Sequence, residues 1–514
     1  MKTKMIKVLS VLLVLLMLTA SFAACGGKGG GTETSDTGSE TTKSSGTITG
    51  PSGNSGQTFT YDVPDDLPDS LDYGMAEFHL LCDAQQYVKS FADTYTGDTI
   101  NSAIYNRANT VQQRLNIDLY VDREDGTYNN MASFINRMKT MEAGCDLVLA
   151  YNMTPAAMAA QGLTYDMNQT AYLNFEKPWW SSVLLDNIAV DNKVYFTGDN
   201  ASWNNLRNMQ GIFVDKQLFT NNHPDMDIDD LYDLVEDKAW TMDKMFELTE
   251  NTYYDKNQDN TVDTGDVFGL SIGNNVWIES FFYAAGFTTL GKDESGNWEF
   301  RIATTATIDF ISYFQQKFYD SAAAQSCAKD SSQYKQFKEG RAQFYLSALA
   351  MVEQNLEQPF AVLPLPMYTT DQGRYYTHFS NTYDMYAIPR AVGSVNKDRS
   401  SAVLECLASE AYRQIAPAYF ETYLKKQNVS DDRLKNMYDE IRRDIVFDQG
   451  YCYGPTLNIG EYNGAAENYP IYYVRRAFHN SDTWKNIADT FQPNAAAHLA
   501  LWQAVLDKFA TLAD

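Results

Sequence analysis

The sequence predicts an α/β fold built on an open, largely parallel β-sheet. Three segments have the pattern of strands, namely "EFHLLCD" (77–83), "IDLYVD" (117–122) and "CDLVLAY" (145–151). Between them, apolar residues recur at helical spacing, first over 100–115 and then over 131–141. The third strand is apolar along its length, which is typical of a strand buried on both faces. This alternation predicts right-handed crossovers, with ligands binding at the carboxyl ends of the strands.

The N-terminus has the features of a bacterial secretion signal. A short basic start precedes the apolar run Val8–Leu18 and the sequence "SFAAC", which ends at Cys25. An apolar core of this length is too short for a stable membrane-spanning helix and is typical of a cleaved signal. "SFAAC" resembles a bacterial lipobox, with Phe22 where Leu is usual. The resemblance implies removal of residues 1–24 and a diacylglycerol on Cys25. The alternative is ordinary secretion with a chance cysteine.

Residues 25–58 are dominated by Gly, Ser and Thr and contain no large apolar side chain apart from Ile48. Such a composition cannot bury enough apolar surface to offset the entropy of ordering the chain. We therefore expect a disordered tether with a root-mean-square reach of roughly 30 Å. Together with the lipid, it would hold the globular part close to the extracellular face of the cell membrane, as in Gram-positive lipoproteins.

The charge and cysteine content exclude several classes of function. The formal net charge is −26, which disfavours nucleic acids and anionic membrane surfaces as partners. The six cysteines are scattered, without a CxxC pair or a His-Cys cluster, so zinc and redox chemistry find no support. The five histidines show no HExxH spacing, and neither GxSxG nor a phosphate-binding GxxxxGK[ST] occurs. We expect a binding protein and not an enzyme.

The rest of the chain continues the α/β pattern. Thr241 is placed to cap a helix that runs through Tyr254, with Asp243 favourable in its first turn. A helix that ends at a turn on Gly340 is followed by another strand. Further predicted elements are strands at 192–199, 267–273, 360–366 and 383–389, a helix at 306–320, and a mostly helical tail from Ser400.

Several segments, in this order, resemble the extracellular solute-binding proteins of carbohydrate ABC importers, the family that includes maltose-binding protein. They are "DLVLAY", "GLTYDMN" with "KPWW", "VDNKVYFTGD", "FVDKQLF", "FKEGRAQFYLS", "FAVLPLP" and "MYAIPR", spread over about 77–425. The resemblance implies a two-lobed periplasmic-binding-protein-like (type II) fold with an interlobe cleft and a hinge. It also implies a carbohydrate ligand, ABC permease subunits as partners, and a monomer.

The resemblance further implies how the chain passes between the lobes. Crossings are expected near 195–199, 340–344 and 380–384. The first lobe would then comprise 59–196 and 340–381, and the second lobe 197–339 and 382–514.

A sugar site needs aromatic platforms together with carboxylates and amides that bind hydroxyl groups. By the resemblance, Trp277 supplies a stacking ring in the second lobe; the alternative is a core tryptophan at a strand end. Trp203 follows a predicted crossing strand, which places it near the cleft. Tyr345 and Tyr383 flank other predicted crossings and are further candidates.

Polar candidates follow the predicted strand ends. Asp83 comes directly after the first strand, where it contacts ligand or, alternatively, caps the next helix. Tyr151 and Asn152 follow the third strand. Asp199 and Asn200 lie beside Trp203 and either bind hydroxyls or form a turn, since Gly-Asp-Asn is common in turns.

The segment "DKNQDNTVDTGD" (255–266) has the oxygen spacing of a calcium-binding loop. The predicted ligands are the side chains of five residues and one main-chain carbonyl, that is, Asp255, Asn257, Asp259, Asp263, Asp266 and the carbonyl of Thr261. Asn260 stands where Gly is usual, but Asn tolerates positive φ. Val262 is expected to anchor the loop on the core. The predicted cofactor is a structural Ca²⁺, and the alternative is a solvated acidic turn.

Two other functions stay open at this point. One is a cell-surface adhesion or scaffold protein that uses calcium for assembly. The other is a surface glycosidase, which needs a pair of catalytic carboxylates. Acidic residues are abundant enough to supply such a pair, but the sequence does not single out two of them.

Overall fold

The computed structural model describes residues 59–125, 131–140, 144–199, 202–273, 275–321, 323–325, 332–354, 356–379, 383–424, 431–459, 469–479 and 486–512. The predicted signal (1–24), Cys25, the tether (25–58) and Asn200 lie outside these residues. The chain from Thr58 to Asp514 forms one compact unit.

Eleven strands lie in the described part of the chain. They are β1 (Ala76–Asp83), β2 (Ile117–Glu124), β3 (Leu147–Tyr151), β4 (Gln210–Asp215), β5 (Phe268–Ile272), β6 (Leu290–Lys292), β7 (Trp298–Phe300), β8 (Ala324–Gln325), β9 (Ala342–Ala348), β10 (Phe360–Leu363) and β11 (Asp384–Ala387). A first sheet has the order β11-β3-β1-β2, a second sheet has the order β10-β4-β9-β5-β8, and β6 and β7 form a hairpin.

The described α-helices are α1 (Ala84–Ser90), α2 (Thr99–Leu115), α3 (Met131–Lys139), α4 (Met153–Ala160), α5 (Ser182–Ile188), α6 (Trp203–Asn208), α7 (Lys216–Asn222), α8 (Ile228–Glu236), α9 (Met242–Glu247), α10 (Ser280–Ala284), α11 (Thr305–Tyr319), α12 (Ser332–Lys338), α13 (Lys397–Glu410), α14 (Asp432–Arg443), α15 (Gln449–Cys452), α16 (Pro470–Phe478) and α17 (Ile487–Thr511). Within the described residues, no helix combines the length and the apolar composition needed to cross a membrane.

The first sheet confirms the predicted strand–helix alternation. Strand β1 pairs in parallel with both β2 and β3, while β11 pairs antiparallel with β3 at the edge. Every residue of β3 is buried, as its apolar sequence predicted. Helix α2 begins where the Asp98 carboxylate accepts hydrogen bonds from two main-chain N–H groups, and its apolar stripe, including Ile104 and Val111, is buried. This sheet and the helices packed on it, α1–α4 and α13, form the first lobe.

The second lobe consists of the second sheet with helices α7–α12 and α14. Its central strand β9 pairs antiparallel with β4 and parallel with β5, and all its residues are buried. The predicted turn before β9 is confirmed, because Gly340 has a φ of +66°, a left-handed conformation that glycine adopts without a steric penalty.

The strands of 340–381 lie in the second sheet, whereas the sequence-based expectation placed this segment in the first lobe. Likewise β11 and α13 belong to the first lobe, although 382–514 was expected in the second. The expected crossing near 340–344 is therefore wrong, since the chain makes a tight turn at Gly340 and stays within one lobe. The physical reason is that β9 lies between β4 and β5 and forms its main-chain hydrogen bonds with both strands. The local sequence of β9 does not indicate these partners.

The described chain passes between the lobes at three other places. The first crossing joins β3 and its following helices to β4, and the second leads from β10 to β11. The third runs through two π-helical segments, Ala411–Ile415 and Ala418–Tyr423, between α13 of the first lobe and α14 of the second.

Two further elements differ from expectation. The segment 192–199 forms only isolated bridges, such as Thr197 with Tyr386, and is not a strand. Helix α9 is capped by Thr241 as predicted, but it ends at Glu247 and not at Tyr254. The acidic loop 255–266 is instead entered through an irregular segment.

Helices α15 and α17 in the C-terminal region contact the first lobe and the β6–β7 hairpin, which in sequence lies between α10 and α11 of the second lobe. Helix α17 packs on α4 of the first lobe and on β7 of the hairpin. An aromatic chain follows the same path, from Tyr195 and Phe196 at the first crossing to Trp298 of β7. The ring centroids along it are 4.3 Å apart for Tyr195 and Phe509, 5.6 Å for Phe196 and Tyr453, 5.2 Å for Tyr453 and Trp502, and 5.1 Å for Trp502 and Trp298.

Candidate functional site

The carboxyl ends of the first-sheet strands are occupied by buried polar side chains. Asp83 is fully buried, and its Oδ1 accepts hydrogen bonds from the main-chain N–H groups of Gln85 (2.8 Å) and Gln86 (3.2 Å). It therefore acts as the cap of α1, the alternative that the sequence left open. Tyr151 is the last residue of β3 and Asn152 follows it, and both are also buried.

Strand β5 of the second sheet leads to the predicted stacking residue. Trp277 lies in a 3₁₀-helix (Asn275–Glu279) just past Gly273, and it is half-buried. A Cβ atom at Gly273 would lie 2.5 Å from the Tyr345 hydroxyl oxygen and 2.6 Å from the Trp277 ring. Glycine at this position thus lets both side chains approach the main chain. Tyr345 itself is buried and stacks on Phe337, with ring centroids 5.0 Å apart.

A second polar group lies where the two lobes and the C-terminal helices meet. We call Tyr151, Glu279, Tyr451 and Arg475 the strand-end cluster. Arg475 Nε donates to Glu279 Oε2 at 2.8 Å, and both side chains are buried. Tyr151 is hydrogen-bonded to Tyr451, and burial holds the pKa of Tyr151 well above its usual range. Burial also raises the pKa of Glu279, against the opposing effect of the Arg475 charge.

The strand-end cluster joins the lobes, and all four of its side chains are buried. Tyr151 comes from the first lobe, Glu279 from the second, and Tyr451 and Arg475 from the C-terminal helices α15 and α16. Next to it, His378 is buried against Tyr283, with ring centroids 4.1 Å apart, and burial lowers the pKa of His378 to about 3. The neutral imidazole and the compensated ion pair together make this region a packed polar core.

A cavity of about 380 Å³ lies between the lobes, and we call it the interlobe cavity. Its first-lobe wall is the end of α1, the start of α2 and the π-helical residue Tyr423. Its opposite wall includes Trp203 of α6 and Glu353, which lies in a 3₁₀-helix (Leu349–Gln354) directly after β9. The lining residues are Val88, Phe91, Ala92, Asp98, Ile100, Asn101, Ile104, Trp203, Glu353 and Tyr423.

Trp203 and Glu353 form one side of the interlobe cavity, and Arg207 holds them together from outside the lining. The Arg207 guanidinium lies 5.0 Å from the centre of the Trp203 ring, and its Nε donates to Glu353 Oε1 at 2.8 Å. The Trp203 indole nitrogen is buried and has no hydrogen-bond partner among the described residues. An aromatic face beside a fixed carboxylate suits a ligand with an apolar ring face and hydroxyl groups.

Local capping fixes the polar groups on the opposite side. Asp98 Oδ1 accepts from the N–H groups of Ile100 (2.9 Å) and Asn101 (3.0 Å) at the start of α2. The Asn101 side-chain oxygen accepts from Thr96 N at 2.8 Å. These hydrogen bonds hold a carboxylate and an amide in set positions, as a binding site requires.

Of the predicted ligand-binding residues that the structure describes, Trp203 lines this cavity. Asp199 instead accepts a hydrogen bond from Ser202 N in the turn before α6, the second of the two roles weighed for it. The Tyr383 hydroxyl lies 3.4 Å from Cys452 Sγ, and its ring packs on Phe379 and Phe447, so this tyrosine belongs to the core. The other predicted residues, Asp83, Tyr151, Asn152, Trp277 and Tyr345, are not among the lining residues.

Sequence reasoning missed Phe91, Glu353 and Tyr423. Phe91 ends helix α1, which was not predicted from the sequence, and Glu353 follows β9 after a 3₁₀-helix, so no spacing pattern marks either residue. The signal for Tyr423 is structural, because it ends a π-helical segment, a feature that occurs frequently at functional sites.

No protein-family model matches the sequence, and no curated protein sequence matches it. Solved structures do resemble it. The sugar-binding protein MalE from Xanthomonas citri aligns with a TM-score of 0.55 and 14% identity over 85% of this chain and 100% of that chain. The cyclic α-maltosyl-1,6-maltose binding protein from Arthrobacter globiformis aligns with a TM-score of 0.54 and 12% identity over 84% and 100%. UgpB from Mycobacterium tuberculosis, solved with glycerophosphocholine, aligns with a TM-score of 0.50 and 12% identity over 83% and 98%.

These similarities confirm the fold class. The chain has the two-lobed periplasmic-binding-protein-like (type II) fold.

Proposed function

We propose that this chain is the lipid-anchored, extracellular substrate-binding subunit of an ABC importer, and that it captures a sugar or oligosaccharide. The observation that supports this most directly is the interlobe cavity, which is bounded by both lobes and lined by aromatic rings and fixed carboxylates. Two of the similar structures are described as sugar-binding or maltosyl-maltose-binding proteins.

The lining chemistry favours a neutral polyhydroxylated ligand. Phe91, Trp203 and Tyr423 offer apolar ring surfaces, while Asp98 and Glu353 offer hydroxyl acceptors. None of the described lining residues is basic, and the nearby Arg207 is already bound to Glu353. An anionic ligand would therefore meet two carboxylates among the lining residues, and the other nearby cation, Lys89, is itself not a lining residue.

In this proposal, ligand binding shifts the protein toward a closed arrangement of the lobes. A ligand that contacts α1 and α2 on one side and the Glu353 segment on the other stabilises the state in which both contacts are made. The closed state would then be the form that delivers its cargo to the permease subunits. The chain itself would carry out binding without turnover.

A thermal-shift screen tests the ligand class. At a ligand concentration one hundred times Kd, binding adds about 2.7 kcal/mol of stability, which is readily seen as a rise in Tm. We expect stabilisation by at least one neutral oligosaccharide, with a smaller radius of gyration by small-angle scattering when it is bound. Stabilisation by a glycerophosphodiester or by peptides alone would overturn the carbohydrate assignment. Release of cleaved product from the oligosaccharide would favour a glycosidase instead.

The anchor is tested separately in cells. We propose that Cys25 carries the lipid and that residues 25–58 act as the tether. Cys25→Ala should move the protein from the membrane fraction to the culture medium and abolish labelling by a fatty-acid analogue. Retention of the variant in the membrane fraction would contradict the lipid anchor, while leaving the binding function untouched.

A further inference from the structure

The acidic loop 255–266 is closed at its base by a pair of main-chain hydrogen bonds. Val267 N donates to Tyr254 O at 3.1 Å, and Tyr254 N donates to Val267 O at 3.3 Å. Twelve residues are thereby held in a ring directly before β5. Val262 is 64% exposed, so the expectation that it anchors the loop on the core is wrong.

The first half of the loop is folded by its own side chains. Asp255 Oδ1 accepts from Gln258 N at 2.6 Å, and its Oδ2 accepts from Asn260 N at 2.8 Å. Asp259 Oδ1 accepts from Thr261 N at 2.7 Å. Asn260 has a φ of +59°, the left-handed conformation that the sequence required at this position. These bonds turn the chain tightly and account for its shape, but they do not by themselves indicate a ligand.

Asp266 supplies the independent observation. Its side chain is fully buried, with Oδ2 accepting from the Tyr253 hydroxyl (3.0 Å) and from Asp263 N (3.2 Å) of the loop. Its other oxygen, Oδ1, is also buried and has no hydrogen-bond donor among the described residues. Burying a carboxylate oxygen without a partner is costly, and the carboxylate is turned toward the loop by its bond to Asp263.

The loop also carries only one positive charge, Lys256, against its four carboxylates, which leaves a formal charge of −3. In the described part of the chain, none of Asp255, Asp259, Asp263 and Asp266 forms an ion pair within 4.0 Å. The nearby Arg341 guanidinium donates to the Thr264 carbonyl and pairs with Glu339. Four carboxylates within twelve residues repel one another unless a cation compensates them.

We propose that the loop binds one Ca²⁺ as a structural ion. The proposed ligands are the Thr261 carbonyl and the side chains of Asp255, Asn257, Asp259, Asp263 and Asp266. Asp266 would bind the ion through its unpartnered Oδ1. In this structure no group of three or more His, Cys, Asp or Glu residues is drawn together around a single point in the described residues. The ion would therefore tighten the loop from the self-bonded form, replacing repulsion between carboxylates by coordination. Ca²⁺ fits better than Mg²⁺ because this set is rich in oxygens and flexible, whereas Mg²⁺ demands a near-ideal octahedron.

The position of the loop assigns the ion a role in the second lobe. The Asp266 carbonyl accepts from Gln336 Nε2 at 3.4 Å, and Gln336 Oε1 accepts from Ser271 Oγ of β5 at 2.9 Å. Arg341, which donates to Thr264, directly precedes β9. A tightened loop would thus fix the starts of two adjacent strands of the second sheet, far from any contact with cargo.

Terbium luminescence provides a test with a structural reporter. Tb³⁺ replaces Ca²⁺ in oxygen sites and emits when a tyrosine lies close by, and the Tyr253 hydroxyl touches the Asp266 carboxylate. We expect the chelator-treated chain to gain tyrosine-sensitised Tb³⁺ emission that Ca²⁺ competes away, and to gain Tm on addition of Ca²⁺ alone. Tyr253→Phe should dim the emission while the Ca²⁺-dependent rise in Tm remains.

Three variants locate the site. Asp266→Asn and Asp259→Ala should each weaken Ca²⁺ binding by at least about tenfold, since even outer-shell changes at metal sites cost 10–100-fold. Asp259 is exposed, so its variant keeps the test valid if Asp266→Asn fails to fold. The matched control is Asp293→Asn in the β6–β7 turn, where one aspartate makes the same type of capping bonds to Ser295 N and Asn297 N, both at 2.8 Å.

The control should retain the full response to Ca²⁺. Equal Tm values in Ca²⁺ and in chelator for the unmodified chain, or an unchanged Ca²⁺ response in both loop variants, would overturn the proposal. Neither result bears on carbohydrate binding, which is tested separately by the thermal-shift screen with oligosaccharides and by variants of the interlobe cavity.

Discussion

The strand-end cluster and the interlobe cavity both lie where the two lobes meet. The cluster is occupied by protein side chains, whereas the cavity contains open volume. In the cluster, Glu279 and Arg475 neutralise each other and tyrosines occupy the remaining space. In the cavity, Trp203 and Tyr423 face about 380 Å³ of open volume. The comparison teaches that polar residues at strand ends need not bind a ligand. The site we propose lies one step further along the chain, on the helices and turns that follow those ends.

The largest expected effect concerns the cluster. Glu279→Ala leaves the Arg475 charge buried without a partner, which should cost about 3–5 kcal/mol of unfolding free energy. The double variant Glu279→Leu with Arg475→Met removes both charges and should recover most of that loss. Denaturant unfolding of the single and double variants measures both values. A single variant as stable as the unmodified protein would show that the pair does not hold the lobes together.

A smaller effect, on affinity and not on stability, is expected in the cavity. Trp203→Ala should weaken binding of the best carbohydrate by about 2 kcal/mol, the usual loss for a central aromatic contact. Trp277→Ala is the matched control, since this half-buried tryptophan is not among the lining residues. Titration calorimetry on both variants decides between them. If Trp277→Ala were the more damaging change, the site would have to be moved to the strand ends.

The smallest effect is a pH dependence that arises beneath the cavity. Asp384 is buried at the start of β11, where it accepts from Ser90 and from Asn204 Nδ2 (2.9 Å), with Lys89 and Asp199 nearby. Burial raises the pKa of Asp384 to about 7. Its contribution to stability is therefore full below the ordinary aspartate pKa and is lost as the pH rises toward 7.

Over that window we expect a slope on the order of 1 kcal/mol per pH unit from this group. Asp384→Asn keeps the shape and can donate to the Ser90 hydroxyl, so it should flatten the slope of unfolding free energy between pH 5 and 7. His378 titrates in the opposite sense, because its lowered pKa reduces stability as the pH falls below about 6.5. The difference between the variant and the unmodified protein isolates Asp384, and identical slopes would contradict its assignment.

Local patterns were sufficient for much of the first lobe. The apolar pattern located β1, α2 and β3, because each buries apolar residues that its own sequence displays, and β2 was located as well although only its first residue, Ile117, is buried. The pairing of β9 with β4 joins residues 130 or more positions apart, and nothing in either strand indicates the partner. This is why the crossing expected near 340–344 was wrong.

The candidate site was less predictable than the fold for a similar reason. Trp203 was identified because it follows a segment that leads from one lobe to the other. Glu353 and Tyr423 reach the same cavity from positions 150 and 220 residues later, through packing that depends on the whole fold. The roles of Asp83 and Asp199 illustrate the converse, since each makes a local capping or turn bond although strand-end reasoning assigned its side chain to a ligand.

The aromatic chain from Tyr195 through Tyr453 and Trp502 to Trp298 has a mechanical consequence. Two lobes joined only by crossing segments are connected on one side, and nothing links them elsewhere. Such an arrangement is an open linkage. Here α17 connects the first crossing to β7 and closes that linkage into a loop of rigid parts. A closed linkage has fewer independent movements than an open one, so any rotation of the lobes must either preserve or break these ring contacts. We therefore expect the C-terminal helix to restrict how the lobes move.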